Sequence, residues 1–473
     1  MQKQYISLGN KDVYNGQYLL SVFHIIPNRE NLLSAASEVA SESSTGSNLE
    51  IGTATSFSKS MNALVYKIDE QKNLVYIAYP WRIFDRGGNI QNIVTFIAGN
   101  IYGMANLKAC KLLDVHFPSQ MLTQYDGPSY TIDDMRKYLN IYDRPILGTI
   151  IKPKIGLTPS EYAELCYDFW SGGGDFVKND EPQADQDFSP YTKMVDNVHE
   201  AMNRAEDETG HTKIHSFNVS AADLDTMLRR ADYIINVMKQ GSFAFLVDGL
   251  TAGWTSVQTI RRHYPNVFLH FHRAGHGAFT RRENPFGYSV LVLTKLARLA
   301  GTSGIHTGTA CVGKMAGSEE DIIAAQMALR IKANGYYFDQ IWSEVPENDP
   351  DIKQTIQQEK EIWDAGALVL SRKRKEKELE NEPVKWRGIN KTCPIASGGL
   401  NPTKFAEFIE KIGTVDFITT MGAGVHSHPG GTKSGVKAIL QAYNAWHEGV
   451  NLRDYAIDHE ELKQAIEFFK VKN

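Results

Sequence analysis

One lysine and two carboxylates stand within four residues of each other in this chain. The run Gly172-Gly173-Gly174-Asp175-Phe176-Val177-Lys178-Asn179-Asp180-Glu181 closes a short apolar stretch on Lys178, Asp180 and Glu181. A protonated lysine repels a divalent cation. A neutral lysine amine can instead add carbon dioxide and become a carbamate, an anionic oxygen ligand of the hard kind that Mg²⁺ prefers. Lys178 in that form, with Asp180 and Glu181, gives three anionic oxygen donors. The plainer alternative is an exposed ion-pair cluster at a strand end, and the four residues alone do not separate the two.

Further groups capable of chemistry recur along the chain. Lys152-Pro153-Lys154 sets two lysines two apart, on one face if the segment is a strand. Two ammonium groups pointing into one site lower each other's pKa, which suits proton transfer. His270-Phe271-His272-Arg273-Ala274-Gly275-His276 holds three histidines and an arginine within seven positions, a cluster suited to binding phosphate or moving protons. His306 follows in Gly304-Ile305-His306-Thr307-Gly308-Thr309. Lys314 sits between Gly313 and Gly317, as expected of a loop that closes and delivers one charge; the alternative is a flexible turn with a solvated lysine. Ser397-Gly398-Gly399 and Gly422-Ala423-Gly424 are small enough to let backbone N–H groups approach a phosphate. Arg273 and His306 across the site would meet a second anionic group, and two anion sites around one metal imply a small bisphosphate.

These groups need a scaffold. From residue 146 onward short apolar runs alternate with amphipathic segments, as parallel βα units require. Strands are expected near 146–152, 175–178, 214–219, 244–248, 267–272, 304–307, 394–397 and 417–421. Eight such strands close a (β/α)₈ TIM barrel, and the first ends in Lys-Pro-Lys rather than the Gly-rich turn of a doubly wound sheet. The reactive residues then fall at the C-terminal ends of the strands, where such barrels keep their active sites. Before the barrel, a strand at 18–26, a helix at 31–40, a hairpin over 63–79 turning at Glu70-Gln71-Lys72-Asn73, a helix at 91–105 and a last strand give an α+β ferredoxin-like unit. The expected division is an N-terminal domain over 1–138 and a barrel over 139–473, with an insertion at about 344–391 that is too long for a barrel connection. Much of that insertion should be exposed, charged helix.

Composition bounds the partners. Of 473 residues 42% are hydrophobic and 22% charged, and the net charge of −5 argues against nucleic acid. Cys110, Cys166, Cys311 and Cys393 are far apart, with no CxxC pair to suggest a zinc site or a disulfide framework. Neither a signal peptide nor a membrane span is expected, and a cytoplasmic location fits.

Taken together and in this order, ASESSTGSN, GTIIKPKIGL, GGGDFVKNDEPQ, HFHRAGHGAFT, GIHTGT with GKMAG, and ASGGLNP resemble the large chain of ribulose-1,5-bisphosphate carboxylase/oxygenase (RuBisCO) over nearly the whole length. The sequence resembles the bacterial form II and archaeal enzymes, and the insertion resembles the assembly domain of form II/III hybrids from methanogenic archaea. The resemblance implies addition of carbon dioxide, or of oxygen, to the Mg²⁺-bound enediolate of ribulose 1,5-bisphosphate, the carboxylation giving two 3-phosphoglycerates. It implies that Lys178 is carbamylated and binds Mg²⁺ with Asp180 and Glu181. Lys152 would move protons at the reacting carbons with Lys154 beside it, His272 would assist, and Lys314 would face the incoming carbon dioxide. Arg273, His306 and Ser397 would hold one phosphate, with His276 nearby. Gly398, Gly399, Gly422 and Ala423 would hold the other with Ser47 and Lys314. Glu42, Ser47, Asn48 and Asn100 would complete the site of a neighbouring subunit, so that a homodimer is the smallest active unit and a larger ring of dimers is expected. Two residues depart from the pattern of many relatives: Ala423 replaces a glycine, which matters if that position needs φ > 0, and Asn48 replaces an aromatic residue. Two other readings share the fold: an enolase or isomerase of sulfur salvage, and a noncatalytic sugar-phosphate binder.

Overall fold

The computed structural model describes residues 2–46, 51–315, 317–330 and 389–470. The N-terminal part contains β1 (Tyr18–Pro27), β2 (Leu64–Asp69), β3 (Leu74–Pro80) and β4 (Leu107–His116), with helices Leu32–Glu42 and Ile90–Ile97 between them. These strands pair antiparallel in the order β4-β1-β3-β2, the ferredoxin-like arrangement expected. The β2–β3 hairpin turns through Asn73 at φ 54, a left-handed conformation that asparagine tolerates. The helix expected over 91–105 stops at Ile97, because Gly99 interrupts it before a short 3₁₀ turn at Asn100–Gly103.

The barrel strands are β5 (Gly148–Ile150), β6 (Phe176–Lys178), β7 (Ile214–Asn218), β8 (Phe243–Asp248), β9 (Phe268–His272), β11 (Gly304–His306), β12 (Cys393–Ala396) and β13 (Ile418–Thr419). All pair parallel in chain order. The barrel closes where Ile146 bridges Ile418 and where Met421 N–H donates to Gly148 O at 3.1 Å. A Cβ on Gly148 would lie 2.3 Å from the Thr419 carbonyl oxygen, so the seam has no room for a side chain. Local signals set the helices between strands: Thr158 and Glu161 form a capping box with Pro159 at the first turn of helix Pro159–Ser171.

Helix Ile132–Leu139 lies under the barrel. Its Ile132, Met135 and Leu139 pack with Ile146, Phe176, Ile214, Phe268, Ile395 and Ile418 in one buried cluster, each large side chain contributing roughly 1.5–3 kcal/mol. Charged groups ring this floor in closed pairs. Arg136 Nε meets Asp416 at 3.2 Å, Lys391 Nζ meets Asp416 at 3.4 Å and Asp133 at 2.8 Å, and Arg144 grips Asp175 through two bonds of 2.6 and 2.9 Å.

The sequence patterns gave no hint of β10 (Phe286–Tyr288), three residues of the barrel half that pair parallel with β4 and extend the N-terminal sheet. A fully buried ion pair at 2.5 Å between Lys295 and Asp114 ties the two halves together. The insertion expected at about 344–391 lies, up to residue 388, outside the described residues; where the chain re-enters, Arg298 donates to the carbonyls of Ile389 and Asn390. No helix among the described residues is long and apolar enough to cross a membrane.

Candidate active site

A cavity of about 690 Å³ opens at the C-terminal ends of the barrel strands. Lys152, Lys154, Asp180, Glu181, His272, Arg273, His276, His306, Lys314, Ser397, Gly398, Gly399, Gly422 and Ala423, all singled out from the sequence, line it. Lys178 lies directly beneath, fully buried at the end of β6.

Its surroundings leave Lys178 poorly paired. Nζ donates to the Asn179 carbonyl at 2.9 Å, and the nearest carboxylate oxygen, Asp180 Oδ1, stands at 3.7 Å. Burial pushes the amine pKa down; Asp180, Glu181 and Asp248 pull it up but do not restore it. Asp180 is held instead by Lys152, whose Nζ lies 2.6 Å from Oδ2. Burial raises the Asp180 carboxyl, but Glu181, Lys178 and Lys152 outweigh it and leave it below the ordinary range. Asp180, Glu181 and His272 offer ligand atoms within 4.8 Å of one another, a cluster able to hold a metal ion.

Two expectations about the lysine pair are corrected. Lys152 and Lys154 do not share a strand face: β5 ends at Ile150, and both lysines lie in the turn beyond it, around a cis Lys152–Pro153 bond. Nor does Lys154 have a lowered pKa. Its Nζ bonds Glu181 at 3.2 Å, and that partner raises it.

His272 stands between two carboxylates, 3.6 Å from Glu181 and 3.4 Å from Asp248, yet burial and then Lys178 push its pKa down. Asp248 went unassigned in the sequence, although it ends β8 and so sits at the mouth by position. Asn218 bonds both Asp248 and the Glu181 carbonyl, and its N–H is received by Asn179, so two asparagines brace the carboxylates from below. Nothing in their spacing marks them. Phe469, from the last helix, also lines the cavity.

Next to His272, Arg273 is buried, its Nη1 has no hydrogen-bond partner, and burial lowers its pKa to about 10. A buried, unpaired guanidinium fits an anionic ligand. His306 next to it bonds Ser397 at 2.8 Å. His276 is turned aside to Thr280 at 2.6 Å, and burial pushes it down to about 3. Lys314 N–H donates to Gly398 O at 2.8 Å, which joins the two glycine loops. Gly399 takes φ +100, and a Cβ there would lie 2.9 Å from the Lys314 nitrogen, so this junction demands glycine. Ala423, by contrast, is not among the positive-φ residues; it begins a short helix and needs no glycine.

Glu42 and Asn100 bond each other at 3.2 Å on the exposed face of the N-terminal domain, and neither lines the cavity. Ser47 and Asn48 lie outside the described residues.

Two family profiles match the chain. Residues 10–121 match the ribulose bisphosphate carboxylase large chain, N-terminal domain, and residues 131–358 and 371–469 match the catalytic domain of the same large chain. The break at 359–370 falls inside the expected insertion. A ribulose bisphosphate carboxylase of Rhodopseudomonas palustris (strain BisB18) is 39% identical over 98% of this chain and 94% of its own, and one of Rhodobacter capsulatus is 37% identical over 97% and 92%. Among solved structures, a sulfate complex of the octameric RuBisCO of Pyrococcus horikoshii OT3 has a TM-score of 0.82 at 30% identity, covering 100% of this chain and 97% of that one. A dimeric archaeal RuBisCO from Hyperthermus butylicus has a TM-score of 0.81 at 31% identity, covering 98% of each.

Proposed function

The chain belongs to the ribulose bisphosphate carboxylase large-chain family and is a carboxylase/oxygenase of that family, and we propose that its own residues carry the reaction as follows. The observation that bears most weight is Lys178: a fully buried amine with a depressed pKa and no close carboxylate partner, placed beside Asp180 and Glu181. Such an amine is readily neutral. Its nitrogen adds to carbon dioxide, a C–N bond forms and one proton leaves, giving the carbamate. Mg²⁺ held by that carbamate, Asp180 and Glu181 would stabilise the negative charge that develops on the substrate oxygens.

The donor set fits such an ion in kind, being all hard oxygen. Arg273, with Ser397 and His306, binds one phosphate of ribulose 1,5-bisphosphate; Gly398, Gly399, Gly422 and Ala423, with Lys314, bind the other. Carbon 3 loses its proton, the resulting enediolate attacks carbon dioxide from carbon 2, and hydration with cleavage of the bond between carbons 2 and 3 gives two 3-phosphoglycerates. Lys152, within bonding distance of Asp180, is placed to donate and accept protons at the reacting carbons, and His272 is placed to assist beside Glu181. Lys314 brings its charge to the carboxylate forming at carbon 2 when its loop closes. Oxygen competes with carbon dioxide for the same enediolate.

We read the active unit as a cytoplasmic homodimer in which Glu42, Ser47, Asn48 and Asn100 complete the partner's cavity. The exposed Glu42–Asn100 pair, absent from its own chain's cavity, and the dimeric and octameric structural neighbours support this. The insertion would join dimers into a larger ring. The activation step is tested with enzyme stripped of carbon dioxide and Mg²⁺: it should start inactive and recover slowly when both return, faster at higher pH. A full initial rate from stripped enzyme contradicts the carbamate.

A further inference from the structure

Behind His306 a line of four side chains runs from the cavity into the barrel. Ser397 Oγ lies 2.8 Å from His306 Nδ1, His306 Nε2 lies 2.9 Å from His270 Nε2, and His270 Nδ1 lies 3.2 Å from Ser216 Oγ. Ser397 and His306 line the cavity, whereas His270 and Ser216 are fully buried behind it. Burial holds both imidazoles well below the ordinary histidine range, so each is neutral at pH 7 and carries a single N–H.

One hydrogen must lie between the two Nε2 atoms, since two bare lone pairs would otherwise face each other at 2.9 Å. Its owner fixes every other proton in the line. If it belongs to His270, His306 carries its proton on Nδ1 and donates to Ser397, while His270 Nδ1 accepts from the Ser216 hydroxyl. Ser397, already an acceptor on its inner side, then turns its O–H toward the cavity. If the hydrogen belongs to His306, each bond reverses: Ser397 donates inward and shows only lone pairs to the cavity. Any mixed pattern leaves a buried polar group unpaired, which is costly.

A fully deprotonated phosphate ester offers acceptors alone and is compatible only with the first pattern. We propose that His270, backed by Ser216, is a positioning residue that holds His306 in its Nδ1–H tautomer, so that Ser397 presents a donor to a phosphate dianion beside Arg273. The inference rests on the phosphate reading of that wall and specifies which ionisation state of the ester the wall recognises. His270 and Ser216 touch no substrate atom and act through His306 and Ser397.

The test uses the full-length enzyme labelled with ¹⁵N-histidine, with inorganic phosphate as the probe and the His306 signal identified by its loss in His306→Gln. Phosphate should bring His306 to the Nδ1–H tautomer. Ser216→Ala should weaken phosphate binding about fivefold, the value of one neutral hydrogen bond, with KM for the bisphosphate moving more than kcat and Ser216→Thr restoring both. An Nε2–H tautomer in the phosphate-bound enzyme, or unchanged phosphate affinity in Ser216→Ala, overturns the inference while leaving the phosphate site intact. Failure of the parent enzyme to bind phosphate overturns the phosphate reading itself, and the inference with it.

Discussion

At the floor of the barrel Arg136 and Lys391 both bond Asp416, and Arg144 grips Asp175 twice; at the mouth Lys178 has its nearest carboxylate oxygen at 3.7 Å and Arg273 Nη1 has no hydrogen-bond partner. The residue types are the same and most are buried at both ends. What differs is satisfaction. Floor charges are closed into pairs, so that removing one partner leaves a buried charge uncompensated and shows as a loss of stability. At the mouth Lys152 and Lys154 pair with Asp180 and Glu181, but Lys178 and Arg273 are left short of partners, and that deficit is what the proposed carbon dioxide and phosphate would fill.

The largest break in this contrast should come from Lys178→Met. It removes the amine proposed to carry the carbamate and should lower carboxylation by about 10²–10³-fold or more, while the melting temperature stays the same or rises because a buried amine has gone. Joint loss of activity and folding would place Lys178 with the floor residues instead.

Asp416→Asn should do the reverse. Leaving Arg136 buried without its carboxylate, and Lys391 with Asp133 alone, should cost about 3–5 kcal/mol in denaturant titration, with the rate per folded site unaltered. A change under about 1 kcal/mol would show that the floor pairs are dispensable.

Arg273→Met sharpens the distinction, because it removes a charge that lacks a partner. KM for the bisphosphate should rise roughly 10- to 100-fold, as for loss of a charged hydrogen bond, with no loss of thermal stability. Destabilisation without a change in KM would contradict an anion-binding role.

A smaller effect appears in acid. Burial raises the Asp416 carboxyl, but Lys391, Arg136 and Arg330 outweigh it and hold it below the ordinary range. Its contribution is therefore complete above the unfolded aspartate pKa of about 3.9 and is lost as pH falls through the lower folded value. Between about pH 5 and 2 the parent should lose more stability than Asp416→Asn; equal slopes would remove Asp416 as the cause.

How much of this could be read from the sequence follows the same division. The eight barrel strands were found to within a few residues, because each is a short apolar run ended by a polar group, and Lys178, Asp180, Glu181, Arg273 and His306 fell at the mouth for that reason. The strand pattern continues to Lys152 although the chain turns after Ile150, ahead of Pro153, and the helical pattern after residue 90 continues through Gly99, where the helix has already ended. Asn179, Asn218 and Asp248 are not legible in the sequence because each works through a partner on another strand or loop, which spacing along one segment does not show. The same holds for β10, whose three residues become a strand only by pairing with β4. The proposed phosphate wall is legible as residue types, but the unpaired Nη1 of Arg273 is not.

The central claim, that this mouth carboxylates ribulose bisphosphate, is tested most directly by product analysis. Enzyme preincubated with carbon dioxide and Mg²⁺ is given ribulose 1,5-bisphosphate and ¹³C-labelled bicarbonate, and the products are resolved by NMR. 3-Phosphoglycerate should be the carboxylation product, with one labelled carboxyl for every two molecules formed and at most a trace in Lys178→Met. Exchange of the carbon 3 proton or isomerisation of the sugar phosphate without fixed label would contradict it and leave an enolase on a carboxylase fold.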